Sequence, residues 1–285
     1  MNETEFVTAL RGLPLHAGAR NLKDDCALIE IGGETLIVTH DMMAEDTHFL
    51  PDADPADIAW KLIAMNLSDL ASKGAEPLGV LLGHSLGGQD DRFLKGLREA
   101  LVQYGLPLLG GDTIAATGAS TFSATAIGRA THVPVPSRSG AQAGDNVFVT
   151  GTLGRALLGF EGQTEHRDAF NRPQPRLAEG RALAPCVTAM MDVSDGLLLD
   201  CWRLAETSSV TVALASTAPP VADERRRSDA LRWGDDYELL FALPRGTLPP
   251  VPATMIGTVE PRGFAELVID GEPVVNSTGL GYQHG

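Results

Sequence analysis

A stretch rich in proline, serine and glycine, residues 132–144, divides the 285-residue chain into two halves, each of which alternates between strand-like and helix-like segments. We place a domain boundary near Pro136, which gives an N-terminal domain over residues 1–136 and a C-terminal domain over residues 137–285. Domains of about 140 residues are of ordinary size. Because strands and helices mix in both halves, the sequence predicts an α+β (mixed α/β) architecture with two domains.

The chain is acidic, with 37 Asp and Glu residues against 22 Lys and Arg residues and a formal net charge of −15. A nucleic-acid-binding protein needs a basic face, so the charge argues against that class and against an anionic membrane surface. The acidic N-terminus lacks the apolar segment of a signal peptide, and we expect a cytoplasmic protein. Cys26, Cys186 and Cys201 show no metal-binding or disulfide spacing.

A Gly-Gly dipeptide at positions 32 and 33 separates two strand-like segments, residues 26–31 and 34–41. Such a dipeptide between apolar runs is a strong signal for a β-hairpin. In a tight hairpin, paired positions have numbers that sum to 65. This register brings Asp24 and Asp25 to the same end of the hairpin as Asp41, although these residues are distant in sequence.

The next segment has the signals of an amphipathic helix. Asp54 is suited to the N-cap, Pro55 to the first helical position, and Gly74 to the residue after the C-terminus. Asp69 falls on the apolar face of this helix, eleven residues after Ile58. Two interpretations remain open for Asp69, a buried carboxylate with partners or a residue beyond the edge of the core in solvent.

Several aspartates lie at the edges of predicted strands or helices beside small residues. They are Asp25, Asp41, Asp69, Asp112, Asp192 and Asp195. A single such aspartate is most simply a turn or cap residue. As a set, they would form a phosphate-binding surface once Mg²⁺ ions lie between them and substrate phosphates. The chain contains no G-x-x-x-x-G-K-[ST] motif, so it is not a P-loop NTPase.

A competing motif is G-x-S-x-G, at residues 83–87, which favours an α/β-hydrolase with Ser85 as nucleophile. His132, His166 and His284 are the candidate bases for that reaction. The nucleophile elbow requires a helix directly after the serine, whereas a glycine-rich segment follows here. The hydrolase is therefore kept as the weaker alternative.

Many motifs of this chain, in order, resemble the thiamine-monophosphate kinase family, of the superfamily that includes aminoimidazole ribonucleotide synthetase (the PurM-like fold). The resemblance runs nearly from end to end. It rests on Asp24-Asp25-Cys26-Ala27-Leu28, Asn66-Leu67-Ser68-Asp69-Leu70-Ala71, Gly110-Gly111-Asp112-Thr113, Arg138-Ser139-Gly140-Ala141, Arg172-Pro173-x-Pro175-Arg176, Asp192-Val193-Ser194-Asp195-Gly196 and Asp236-Tyr237-Glu238-Leu239.

The resemblance implies ATP-dependent phosphorylation of thiamine phosphate to thiamine diphosphate by a PurM-like homodimer whose N-terminal halves pair. The implied ligands of several Mg²⁺ ions are Asp25, Thr39, His40, Asp41, Asp69, Asp112, Asp192 and Asp195. The implied ATP contacts are Gly111, Asp112, Arg138 and Ser194. The implied contacts to thiamine phosphate are His48, Asp235 and Tyr282, with Tyr282 stacking on a ring of the vitamin.

A general base is not required, because a phosphate oxygen with a second pKa of about 6 is already ionised near neutral pH. We therefore expect direct in-line transfer, assisted by Mg²⁺, without a phosphoenzyme.

The chain departs from the family pattern at three places. Asn21-Leu22-Lys23 stands where the family has Gly-Ile-Gly, His40 replaces a hydroxyl residue, and Asp235 replaces a glutamate. The first two departures leave one more alternative, a PurM-like protein that binds nucleotide and metal but has a different acceptor or no catalytic activity.

Overall fold

The computed structural model describes residues 1–115 and 117–283. Its strands are β1 (Ala27–Ile31), β2 (Glu34–Ala44), β3 (Ala75–Ser85), β4 (Leu108–Ile114), β5 (Thr121–Ala130), β6 (Asn146–Val149), β7 (Ala189–Val193), β8 (Thr211–Leu214), β9 (Glu238–Leu243), β10 (Thr254–Glu260), β11 (Leu267–Ile269) and β12 (Glu272–Pro273). Its α-helices are α1 (Glu3–Leu10), α2 (Pro55–Ser72), α3 (Asp90–Tyr104), α4 (Arg155–Phe160), α5 (Arg167–Asn171), α6 (Leu177–Leu183), α7 (Leu197–Ser208) and α8 (Arg227–Trp233). The predicted α+β class is confirmed.

The N-terminal sheet has the strand order β1-β2-β5-β3-β4. Its pairs are antiparallel except β3 with β4, which run parallel. The predicted hairpin is confirmed in its register, since Ala27 pairs with Val38 and Ile31 with Glu34. Gly32 and Gly33 both have positive φ angles, +61° and +86°, which explains why the turn consists of glycines.

Helix α2 begins and ends where its sequence signals predict. The Asp54 side chain accepts a hydrogen bond from the Ala56 backbone N–H at 2.9 Å, and Gly74 lies two residues beyond the last helical residue. The helix is buried almost throughout and packs against α3 and the N-terminal sheet. Asp69 does not project into solvent but lies half-buried and accepts a hydrogen bond from the Thr39 hydroxyl.

The C-terminal sheet has the strand order β12-β11-β8-β10-β6-β9-β7 and is covered on both faces. One face packs against α7, and the other against α6 and the end of α2, where Ala71 joins the cluster around Phe241. All six residues of β9 are buried. Helix α2 therefore lies between the two sheets and contacts both of them.

One predicted loop differs in the structure. The polar, proline-containing sequence of residues 163–176 predicts a loop. In the structure, residues 164–166 form a 3₁₀ turn and α5 follows directly. Phe160 and Phe170 pack together with their ring centroids 5.4 Å apart, which gives this segment an apolar contact that the sequence pattern did not indicate.

The last strand of the N-terminal sheet, β5, ends at Ala130, and the first strand of the C-terminal sheet, β6, begins at Asn146. The predicted domain boundary near Pro136 lies between them and stays a prediction. Among the described residues, no helix is both long and apolar enough to cross a membrane.

The face of the N-terminal sheet away from α2 is open and carries several exposed apolar side chains. Ile29, Met42, Leu81 and Leu109 project from it and are between 38% and 58% exposed. The edge strand β4 is exposed along its whole length. Exposed apolar side chains grouped on one sheet face are typical of interaction surfaces.

The close contact between α6 and α2 can be tested with Gly180→Ala. A Cβ at Gly180 would lie 1.9 Å from the Ala71 carbonyl oxygen, so the two helices must separate. We expect a loss of about 1–3 kcal/mol in the free energy of unfolding, typical of overpacking, measured by denaturant titration. Gly88→Ala is the matched control, because a Cβ at Gly88 meets nothing within 4 Å. Equal stability of the two variants would contradict the close contact.

Candidate active site

A cleft of about 850 Å³ opens between the two halves of the chain. Strand β2, helix α2 and the loop after β2 line one side, and the residues after β7 and before β9 line the other. Most of the predicted site residues meet there. Those that line the cleft are Asp25, His40, Asp41, His48, Asp69, Arg138, Asp192, Ser194, Asp195, Asp235 and Tyr282.

Three carboxylates from different elements converge in the cleft. Asp25 precedes β1, Asp69 lies on the last turns of α2, and Asp192 lies on β7. One oxygen of each lies within 4.8 Å of the other two, which is close enough for all three to bind the same cation. The hairpin, the central helix and the C-terminal sheet thus each contribute one ligand.

The protonation of these carboxylates reflects their crowding. Burial, together with the charges of Asp25 and Asp195, raises the pKa of Asp41 to about 6. Burial and the charge of Asp25 raise the pKa of Asp192 to about 8. Burial, followed by Asp41 and Asp192, raises the pKa of Asp69 well above its usual value. The positive charges of the protein do not balance the negative charges of these carboxylates.

The donor set fits a hard divalent cation. Asp192 accepts a hydrogen bond from the Ser68 hydroxyl at one oxygen, 2.6 Å away, while its other oxygen is buried with no hydrogen-bond partner among the described residues. A buried acceptor without a donor is unusual and is explained when a cation binds it. Mg²⁺ prefers carboxylate oxygens of this kind.

Asp24 is a residue that the sequence analysis did not select. Its carboxylate is almost fully buried and accepts hydrogen bonds from Arg20 at 2.5 Å and from the Ser137 hydroxyl at 2.6 Å. Lys73 Nζ lies 2.6 Å from its other oxygen. Burial by itself would raise the pKa of Asp24, but the positive charges of Lys73 and Arg20 outweigh burial. The pKa of Asp24 therefore lies below its usual value. Asp24 therefore joins the hairpin, α2 and the segment between the two sheets.

Two arginines face the carboxylates across the cleft. Arg138 forms an ion pair with Asp25, and Arg203 on α7 forms ion pairs with Asp195 and Asp200. Although burial raises the pKa of Asp25, the charges of Arg138 and Lys73 lower it below its usual value. Arg203, which the sequence analysis missed, gives the cleft a second guanidinium, and no motif marks it.

Thr39 and His40 point to opposite faces of β2. The Thr39 hydroxyl donates to Asp69, while His40 Nδ1 lies 2.8 Å from the Thr125 hydroxyl on the open face of the sheet. Alternate residues of a strand face opposite sides, so the His40 ring is turned away from the three carboxylates. In this chain His40 could bind a metal in the cleft only through its backbone carbonyl.

Gly111 and Asp112 do not lie among the residues that line the cleft. They are exposed on β4, which is separated from β2 by β5 and β3. Three strand spacings correspond to roughly 14 Å. The structure does not bring these two residues to the carboxylates of the same chain, and their predicted role in binding ATP and Mg²⁺ stays a prediction.

The far end of the cleft combines one carboxylate with aromatic rings. Asp235 pairs with Lys61 Nζ at 2.6 Å and accepts a hydrogen bond from the Tyr237 hydroxyl at 2.9 Å. The Lys61 ammonium also lies 4.0 Å from the centre of the Phe170 ring. Phe160 packs against both Phe170 and Trp233, and His48 and Tyr282 also line the cleft. Lys61 lies in no motif that would have selected it from the sequence, and Tyr237 lies in a family motif but was not selected as a site residue.

The structure gives no support to a serine nucleophile at Ser85. This residue ends β3, a strand paired with both β4 and β5, and is only 7% exposed. The next helix begins at Asp90, so the strand-turn-helix elbow is absent from this part of the described chain. Of the candidate bases, His284 lies outside the described residues.

Comparisons with known proteins identify the family of this chain. Residues 23–130 match the family model for AIR synthase related protein, N-terminal domain. The thiamine-monophosphate kinase of Escherichia coli (strain K12) is 35% identical over 300 residues, which cover 92% of this chain and 90% of that protein.

Solved structures are similar over the whole chain. A structure described as "AaThiL complexed with AMPPCP and TMP" is 28% identical, with a TM-score of 0.88 over 100% of this chain and 97% of that one. The thiamine-monophosphate kinase from Stenotrophomonas maltophilia K279a is 31% identical, with a TM-score of 0.77 and 95% of each chain covered. The chain belongs to the thiamine-monophosphate kinase family.

Proposed function

We propose that this protein phosphorylates thiamine phosphate with ATP and releases thiamine diphosphate and ADP. The convergence of Asp25, Asp69 and Asp192 within 4.8 Å, in a cleft between two sheets, is the observation that carries the proposal. Membership of the kinase family, and the ATP analogue and TMP named for its structural neighbour, support the choice of substrates.

The three carboxylates, together with Asp41, would hold Mg²⁺. Bound there, Mg²⁺ would neutralise phosphate charge and bring the two anionic substrates together. The charge of the cleft supports this role, since carboxylates alone would repel both substrates. Ligand roles for Thr39, His40, Asp112 and Asp195 rest on the family resemblance and stay predictions.

The residues of the chain bind and orient the substrates around this centre. Arg138 and Arg203 would contact phosphate oxygens, since both line the cleft and a guanidinium binds phosphate well. Asp235, paired with Lys61 and hydrogen-bonded by Tyr237, would accept a hydrogen bond from the amino group of the vitamin. His48 and Tyr282 also line the cleft.

No described side chain needs to act as a general base. The attacking oxygen belongs to a phosphate whose second pKa is about 6, so it is ionised near neutral pH. Catalysis then consists of positioning and charge stabilisation, and the phosphoryl group passes directly between substrates. A protein adduct labelled by γ-labelled ATP would contradict direct transfer.

We also propose that the chain forms a homodimer through the open face of the N-terminal sheet. Ile29, Met42, Leu81 and Leu109 on that face are exposed in the single chain, and burying them against a second copy is favourable. The exposed edge strand β4 carries Gly111 and Asp112 into the same region, so a second copy would lie next to them.

The function is tested by incubating the purified protein with Mg-ATP and thiamine phosphate and detecting thiamine diphosphate by chromatography with mass detection. Asp69→Asn should lower turnover below detection while the circular dichroism spectrum is unchanged, because the amide removes a charged metal ligand. Asp52→Asn, at an exposed position outside the cleft, is the matched control and should keep full turnover. Near-normal turnover of the Asp69 variant would remove this residue from the metal site.

The stabilisation of the protein by Mg²⁺ should increase with pH. In the metal-free protein, Asp41 and Asp192 have raised pKa values of about 6 and about 8, so the folded state binds more protons than the unfolded state. Stability therefore falls as pH rises from about 4 through these values. Mg²⁺ binds the ionised carboxylates and opposes this loss, so its effect on Tm should be larger at pH 8 than at pH 6. Scanning calorimetry at both pH values checks this, and an equal shift in Tm would contradict it.

The homodimer is tested with Leu81→Asp, which puts a charge in the middle of the open sheet face. We expect this variant to be monomeric at concentrations at which the unmodified protein is dimeric, as measured by light scattering after gel filtration. Leu248→Asp is the control, because Leu248 is 85% exposed in the C-terminal half and away from that face. A dimeric Leu81 variant would place the interface elsewhere.

A further inference from the structure

Lys73 is a fully buried lysine at the end of the central helix. It is the C-cap residue of α2, and its side chain has no exposed surface. Burying an ammonium without partners is very unfavourable, so a lysine at this depth needs acceptors around it. Nothing in the proposed reaction described above uses this residue.

The Lys73 ammonium is surrounded by oxygens. Nζ lies 2.6 Å from Asp24 Oδ1, 2.5 Å from Asp25 Oδ2 and 3.2 Å from the Met190 carbonyl oxygen. Asp24 and Asp25 come from the hairpin, Lys73 from α2 and Met190 from β7. Two carboxylate oxygens and one carbonyl oxygen form a hard donor set of the type that divalent cations also prefer.

This oxygen cage adjoins the proposed metal site and shares a residue with it. Asp25 contributes one carboxylate both to the cage and to the cluster with Asp69 and Asp192. An ammonium in the cage therefore satisfies part of the charge of Asp25 whether or not a metal ion is bound. It also lies where a further cation bridging Asp24 and Asp25 would have to bind.

We propose that Lys73 is a built-in cation of the active site, which occupies the cage formed by Asp24, Asp25 and Met190 in place of a divalent ion. As a positioning residue, it holds the Asp25 carboxylate between the hairpin and the C-terminal sheet before metal or substrate binds. The inference rests on the proposed function in assigning Mg²⁺ to the neighbouring carboxylates.

The proposal makes a prediction about the number of bound ions. Lys73→Met removes the ammonium and keeps a side chain of similar length, so the cage loses its cation while Asp24 and Asp25 keep their charges. We expect the variant to bind one more Mn²⁺ ion per chain than the unmodified protein, measured from the electron paramagnetic resonance signal of free Mn²⁺ without ATP or thiamine phosphate. Its Tm in EDTA should fall, and Mg²⁺ should raise that Tm by more than it raises the Tm of the unmodified protein.

Two further variants separate the cage from a general effect of charge. Lys95→Met removes one positive charge from an exposed lysine on α3 and should leave the Mn²⁺ count and the Mg²⁺ effect unchanged. Asp24→Asn combined with Lys73→Met has the net charge of the unmodified protein and replaces one cage carboxylate with an amide. This double variant should lose the additional ion.

The outcomes are distinct. An Mn²⁺ count and a Mg²⁺ effect equal to those of the unmodified protein would overturn the proposal and leave Lys73 with a packing role only. Failure of the Lys73 variant to fold even in Mg²⁺ would also overturn it, because a divalent ion must be able to replace the ammonium. The measurements contain no substrate, so formation of thiamine diphosphate by the unmodified protein tests the proposed function separately.

Discussion

The structure depends on how buried carboxylates are neutralised between the two sheets. A carboxylate in a protein interior is costly unless it is paired or binds a cation. This chain uses both solutions side by side. Asp24 and Asp25 are paired with lysine and arginine, which lowers the pKa of both carboxyls. Asp69 and Asp192 lack such partners and have raised pKa values. The charges of Asp24 and Asp25 are thus balanced by the protein, whereas the adjacent pair, Asp69 and Asp192, is suited to binding metal ions.

Helix α2 makes this arrangement possible, because it lies between the two sheets and contacts both. Its last turns carry Asp69, which faces the cleft, and Lys73, which faces the hairpin. Close contacts hold the helix in place, such as that of Ala71 with Gly180 on α6. The distance between carboxylates from the hairpin and from β7 is therefore set by the packing of one helix. In this fold, the packing of the core therefore also sets the geometry of the site.

Patterns that are local in the sequence were interpreted correctly. The hairpin register follows from a Gly-Gly turn, and the bounds of α2 follow from Asp54, Pro55 and Gly74, since caps and turns depend on a few neighbouring residues. Predictions that depend on distant contacts were less successful. The loop at residues 163–176 contains a helix, because Phe170 packs against Phe160. Lys61 and Lys73 lie in no local motif, since their roles come from partners far away in the sequence.

The sequence by itself determined the fold class, the family and the set of aspartates from which the candidate site is built. These depend on local patterns and on the order of motifs along the chain. Only the tertiary structure decided which aspartates meet. Asp25, Asp69 and Asp192 converge because a hairpin, a helix and a strand from two halves of the chain pack together. Asp112 lies apart on an edge strand, and His40 turns to the other face of its strand. The physical reason is that strand order and helix packing, rather than spacing along the chain, decide which side chains share a cleft.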